Sequence, residues 1–201
     1  ANGAGIMSPG STAGTGAAKG ASSRPARFAQ RKTEPGVQFL QGNEVCAEAA
    51  IYAGMRFYAG YPITPANEIS ERMAARLPQV GGKFLQSEDE LCSIYALTGA
   101  SLAGAKAMTA TASAGYNYMQ EGIGYAIASE IPCVIVDVQR CRGENFATQA
   151  DVMQMRWGAS GDHEMIVLAP SSVQELFDFT IRAFNLAETY RMPVVVMSDT
   201  T

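Results

Sequence analysis

The chain has 201 residues, 47% of them hydrophobic and 17% charged, which fits one ordinary soluble globular domain rather than a disordered segment. A net charge of -4 gives no electrostatic footing for nucleic acid or an anionic membrane, so neither is expected as a partner. The longest apolar strand candidate, residues 133–138, falls far short of the roughly 20 residues that a membrane-crossing helix needs.

Residues 1–36 are rich in Gly, Ala, Ser and Thr without an apolar period and read as a flexible arm or linker. The stretch from Gly14 to Gly20 lacks the G-x-x-x-x-G-K-[ST] order of a phosphate loop, and no strand precedes it. Residues 37–201 then alternate between helical and strand patterns. Helices are expected over 43–55, 65–77, 89–103, 116–129, 152–157 and 172–190. Strands are expected over 57–60, 83–86, 106–111, 132–139, 165–168 and 193–198. This alternation predicts an α/β fold with a doubly wound, mostly parallel sheet, helices on both faces and ligands at the carboxyl ends of strands. The abrupt stop after the last strand suggests a piece of a longer polypeptide, and the lack of a charged-then-apolar leader suggests a cytoplasmic protein.

Cys46, Cys92, Cys133 and Cys141 form no C-x-x-C pair and His163 is the sole histidine, so no zinc or iron–sulfur site is expected from this chain alone. The first three cysteines lie in apolar patterns and are expected in the core. Cys141 stands between Arg140 and Arg142, where positive charge favours a thiolate, although an unreactive loop cysteine is the commoner outcome. Trp157 is expected to pack, and His163 to be structural more often than catalytic.

Four stretches fall at expected strand ends, and each has two readings. Gly60-Tyr61-Pro62-Ile63-Thr64-Pro65 offers Thr64 as a helix cap and Pro65 as a first helical residue; the rigid Gly-Tyr-Pro exit equally suits an anionic ligand. Ser87-Glu88-Asp89-Glu90 has capping-box spacing between Ser87 and Glu90. Gly99 and Gly104 in the following helix pattern suggest instead that something approaches that helix closely. Thr109-Ala110-Thr111-Ala112-Ser113-Ala114-Gly115 leaves main-chain N–H groups open to a bulky ligand, or else Ser113 caps the next helix. Asp137-Val138-Gln139-Arg140 sends an arginine out of a buried strand, either to hold a carboxylate in a bidentate pair or to sit solvated in a loop.

Taken in order, these motifs resemble the alpha subunit of 2-oxoacid:ferredoxin oxidoreductases, the 2-oxoglutarate branch above all. The resemblance runs from about residue 41 to residue 199. It is carried by Gly42-Asn43-Glu44, Gly60 to Pro65, Ala107 to Thr111, Met119-Gln120-Glu121, Asp137 to Arg140, Gly161 to Glu164 and Pro170 to Glu175.

The resemblance implies the pyrimidine-binding half of a thiamine diphosphate site. Glu90 would contact the aminopyrimidine ring, with Glu88 as the fallback, and would need a poorly solvated pocket that raises its pKa. Thr64, Arg140 and Tyr61 would face the 2-oxoacid carboxylate, while Gly60, Pro62, Thr111, Ser113 and Gly115 would line the cofactor. The resemblance further implies a beta subunit holding Mg2+ and the diphosphate, and iron–sulfur clusters on a partner or a missing segment. Coenzyme A takes the acyl group and ferredoxin the electrons; gamma and ferredoxin-like subunits are further partners it allows.

Two departures stand at the expected pocket. The family's Gly-Pro-Ser-Thr-Gly-type loop is replaced by the shorter run from Cys141 to Gln149, and its Ser-Gly-Pro-Gly pattern by Ala112 to Tyr116. A branched-chain 2-oxoisovalerate enzyme, suggested by Pro65-x-Asn67-Glu68-Ile69, and a non-catalytic assembly module of the same fold are the competing expectations. A nicotinamide enzyme is disfavoured because no G-x-G-x-x-G follows an expected strand.

Overall fold

The computed structural model describes residues 36, 38–141 and 146–200. In chain order the elements are α1 (Gly42–Tyr52), β1 (Phe57–Gly60), α2 (Asn67–Arg76) with a 3-10 turn at Leu77–Val80, β2 (Lys83–Gln86) and α3 (Glu90–Leu102). They continue with β3 (Ala107–Thr111), α4 (Ser113–Tyr118), α5 (Gln120–Ala128), β4 (Cys133–Gln139), α6 (Val152–Trp157), β5 (Ile166–Leu168), α7 (Val173–Tyr190) and β6 (Pro193–Asp199). The arm expected at residues 1–36 lies outside the described residues, apart from Gly36.

The strands form one six-stranded sheet in the order β2-β1-β3-β4-β6-β5, with every pairing parallel. A parallel sheet buried on both faces needs continuous apolar strands, and β4 meets that demand with all seven residues buried. Its side chains alternate between two cores. Val134, Val136 and Val138 join Ile51 of α1, Ile69 of α2 and Phe184 of α7. Cys133 and Ile135 join Leu97 of α3, Tyr116 of α4 and Ile123 of α5 on the opposite face. From β1 the chain turns toward β2, whereas β3 lies on the other flank of β1, so the carboxyl ends of β1 and β3 bound a topological switch crevice.

Several local expectations are corrected. The second helix starts at Asn67 rather than Pro65, and Thr64 does not cap it; Ala66 holds the cap position. Asn43 of α1 takes the Pro65 carbonyl at 2.7 Å and Glu68 at 2.8 Å, so this turn is tied to α1 before the helix begins. Ser87 and Glu90 form no capping box. The Ser87 main chain still bonds to Gly60, continuing the β1–β2 ladder, and Asp89 caps α3 by accepting from the Cys92 N–H at 2.6 Å. The helix expected over 116–129 is two helices sharing Met119 as boundary, and the first begins at Ser113. Ala112, not Ser113, occupies its cap position.

No described part of this chain makes the close approach inferred from Gly99 and Gly104. A Cβ at either position would meet nothing within 4 Å, and Gly104 lies past the end of α3 with φ +90, where it serves the turn into β3. Cys92 is exposed on the outer side of α3, while Cys46 and Cys133 are buried as expected. Trp157 is 67% exposed rather than packed, with the Arg156 guanidinium 4.3 Å from its ring centre.

Candidate active site

Glu90 is the first residue of α3 and only 8% exposed, whereas Glu88 two positions earlier is exposed. The capping work at this helix start falls to Asp89, which leaves the Glu90 side chain free to turn inward. It lies against the exit of β3, for an added Cβ on Gly115 would come within 2.6 Å of Glu90 Oε1 and would also strike Thr111 Oγ1. Thr111, Gly115 and Glu90 therefore meet at one point. Burial pushes the Glu90 carboxyl above its usual range; its own main-chain N–H opposes this, and the neighbouring Asp89 charge adds to it.

Around this carboxyl, the buried Thr111 Oγ1 and Ser87 Oγ have no protein hydrogen-bond partner. A buried polar atom left so is costly unless a ligand satisfies it. On the same edge, β1 ends at Gly60, which has no room for a side chain because the Tyr58 ring lies 2.6–2.9 Å from where its Cβ would stand. Gly60 thus belongs to the packing above Tyr58. Beyond it Tyr61, Pro62 and Thr64 are exposed, and the Thr64 hydroxyl accepts from Asn67 Nδ2 at 3.4 Å; the Thr64–Pro65 peptide is cis.

Arg140 emerges half-buried from β4. Its main-chain N–H donates to Ser113 Oγ at 3.2 Å, and its carbonyl lies 2.7 Å from the same hydroxyl. The Ser113 hydroxyl donates in turn to Asp151 Oδ2 at 2.5 Å. Asp137, on β4 and opposite Thr111 in the ladder, is fully buried behind this group. Neither Asp137 oxygen makes a well-aligned hydrogen bond, but the Asp151 carboxyl is close enough to act on it. Burial first, and then Asp151, hold the Asp137 carboxyl well above the ordinary value near 3.8.

Sequence reasoning gave Asp137 no role, although an acid inside an apolar strand is the kind of signal that marks a functional or strained position. Asp151 looks like an ordinary helix cap in sequence; it does stand at the cap position of α6, but its side chain makes no cap bond there and turns to Ser113. His163 stands with Arg156 and Glu164 as its charged neighbours; burial and Arg156 lower its pKa against the pull of Glu164. A separate cleft of about 640 Å³ opens on the β4–β6 half of the edge, lined by Gln139, Ser171, Ser172 and Asn43 but not by Glu90. Among the described residues no three His, Cys, Asp or Glu side chains converge as metal ligands.

These features fit a thiamine-type cofactor: a buried carboxyl of raised proton affinity, two unpartnered hydroxyls and a glycine that keeps the wall flat, all at the switch crevice of a parallel sheet. The fold and the half-site define an α/β cofactor-binding domain. The chain belongs to the family described as pyruvate flavodoxin/ferredoxin oxidoreductase, thiamine diphosphate-binding, whose model matches residues 48–201.

It is 59% identical over 167 residues to the 2-oxoglutarate synthase subunit KorA of Methanocaldococcus jannaschii, covering 81% of this chain and 46% of that protein. It is 45% identical over 166 residues to the ketoisovalerate oxidoreductase subunit VorB of Methanothermobacter thermautotrophicus, covering 81% and 47%. Among solved structures it matches a 2-oxoglutarate:ferredoxin oxidoreductase from Magnetococcus marinus, with 2-oxoglutarate, coenzyme A and succinyl-CoA bound. That match has 41% identity and a TM-score of 0.77, covering 80% of this chain and 29% of that one. The chain spans about half the length of the curated relatives it matches.

Proposed function

We propose that residues 37–201 are the pyrimidine-side half of the active site of a 2-oxoacid:ferredoxin oxidoreductase, which converts 2-oxoglutarate to its coenzyme A thioester with release of carbon dioxide and transfer of electrons to ferredoxin. The observation that carries this reading is the buried Glu90 carboxyl at the switch crevice, walled by Thr111 and Gly115. Thiamine diphosphate, when bound, supplies the carbon nucleophile for the keto group.

This chain's own residues prepare that chemistry. Glu90, rather than the exposed Glu88, holds a proton beside the aminopyrimidine because burial favours its neutral form. Gly60, Pro62, Thr111, Ser113 and Gly115 shape the cofactor wall. Arg140 pairs with the substrate carboxylate, and Thr64 and Tyr61 flank it. A beta subunit holds Mg2+ and the diphosphate, and iron–sulfur clusters reside on a partner or another segment. Gamma and ferredoxin-like subunits complete a cytoplasmic assembly, to which residues 1–36 serve as a linker.

The higher identity to a 2-oxoglutarate synthase subunit supports 2-oxoglutarate as substrate. The second reading, 2-oxoisovalerate, is supported by the 45% identity to a ketoisovalerate oxidoreductase subunit. Coexpression with a beta subunit and viologen reduction with each 2-oxoacid distinguishes them. Full activity in Glu90→Ala would reject the role given to that carboxyl.

A further inference from the structure

The Ser113 hydroxyl joins three parts of the chain at one buried point: the exit of β3, the exit of β4 and the turn into α6. A hydroxyl has a single proton to give, so it serves either Asp151 or the Arg140 carbonyl at one time. The 2.5 Å contact to Asp151 is the shorter of the two. With the proton committed there, the oxygen lone pairs face the Arg140 N–H, and the main chain of Arg140 is held in one orientation.

Asp137 closes the arrangement from beneath. The titratable groups facing it are Asp151, from the turn before α6, and Tyr116, from α4. Burial and the nearby Asp151 carboxyl raise the proton affinity of Asp137, while Asp151 Oδ2 accepts from Ser113. Asp137 is fully buried and Asp151 6% exposed, and the Asp151 side chain is turned to Ser113.

We propose that Asp151, acting through Ser113 and backed by Asp137, is the positioning residue that fixes the Arg140 main chain and so sets affinity for the 2-oxoacid carboxylate. This rests on the reading of Arg140 as the carboxylate partner. Removing the acceptor at Asp151 lets the Ser113 hydroxyl rotate to the Arg140 carbonyl and releases the 146–151 segment from the sheet edge. The guanidinium then loses its fixed base, which weakens substrate binding more than chemistry.

The test uses the assembled enzyme and four variants, Asp151→Ala, Asp151→Asn, Ser113→Ala and Arg140→Ala, assayed by 2-oxoglutarate-dependent viologen reduction. Asp151→Ala is expected to raise KM for the 2-oxoacid about tenfold or more while kcat changes less than about threefold, and Ser113→Ala to raise KM as far, with any added fall in kcat read as its part in the cofactor wall. Asp151→Asn still accepts the Ser113 proton and is expected to restore KM to within about threefold of the parent enzyme. If Arg140→Ala raises KM but Asp151→Ala and Ser113→Ala do not, the positioning role is overturned and the reading of Arg140 survives. If Arg140→Ala leaves KM unchanged, both fall. A loss confined to kcat, or no rescue by Asn, marks a merely structural network and also overturns the proposal. Should Asp151→Ala fail to assemble, Ser113→Ala carries the same test, since it removes the bridge with little change in volume.

Discussion

Gly115 makes the space that Glu90 occupies: a single added methyl on it would stand 2.6 Å from Glu90 Oε1 and 2.8 Å from its Cγ. The carboxyl and the start of α4 are thus one packed unit, although 25 positions separate them in sequence. Gly115→Ala is expected to displace the carboxyl, cost about 1–3 kcal/mol of stability and lower turnover at least as far as Glu90→Ala does. Thermal unfolding and steady-state rates on the two variants check this; an unchanged rate in Gly115→Ala would remove Glu90 from the site.

Glu90→Gln keeps the shape and removes the charge. Loss of the proton-holding function is expected to lower kcat on the order of 10²–10⁴-fold. Because the folded carboxyl titrates above its usual value, the stability it contributes is full below about pH 4 and is lost as pH rises through the folded value. The variant escapes that loss. Its unfolding midpoint without cofactor should therefore exceed the parent's at pH 8 and match it near pH 4.

Asp137→Asn follows the same sign with a larger displacement. Its carboxyl is raised well above 3.8 by burial and by Asp151, so the parent protein weakens steadily as pH climbs from the acid range through the folded value. The amide variant should show a flatter stability profile and a higher unfolding midpoint at pH 8. A scan of melting temperature against pH on both proteins reads the difference directly.

Gly60→Ala tests the other wall of the crevice. The Tyr58 ring cannot yield, since its hydroxyl bonds to Ser70 Oγ at 2.6 Å and its face stacks on Phe84 with centroids 5.7 Å apart. Overpacking here should destabilise the domain by about 1–3 kcal/mol, measured by denaturant unfolding.

The positions of the strands along the chain and their parallel kind were legible because each interior strand had to be apolar on both faces, and β4 announces this plainly in Cys133 to Val138. Cap assignments were not. Ser87 and Asp89 offer two chemically adequate caps within three positions, and only the Ser87 main-chain bond to Gly60 shows that Ser87 is still engaged with β1. The break at Met119 was hidden because the sequence on either side of it keeps a helical pattern. Glu90 was preferred to Glu88 from its motif, and the fold adds that the first is buried and the second exposed. Asp151 was unreadable: its partner Ser113 lies 38 positions away, and nothing local distinguishes it from an ordinary cap.

The neighbouring acids Asp89 and Glu90 divide their work, one anchoring the helix and the other facing the crevice, yet the charge of the first still raises the proton affinity of the second. Asp89 is in effect an external dial. Exchanging it for asparagine preserves the anchor while easing Glu90 toward ionisation, so the acidity of the buried group can be retuned from the position beside it.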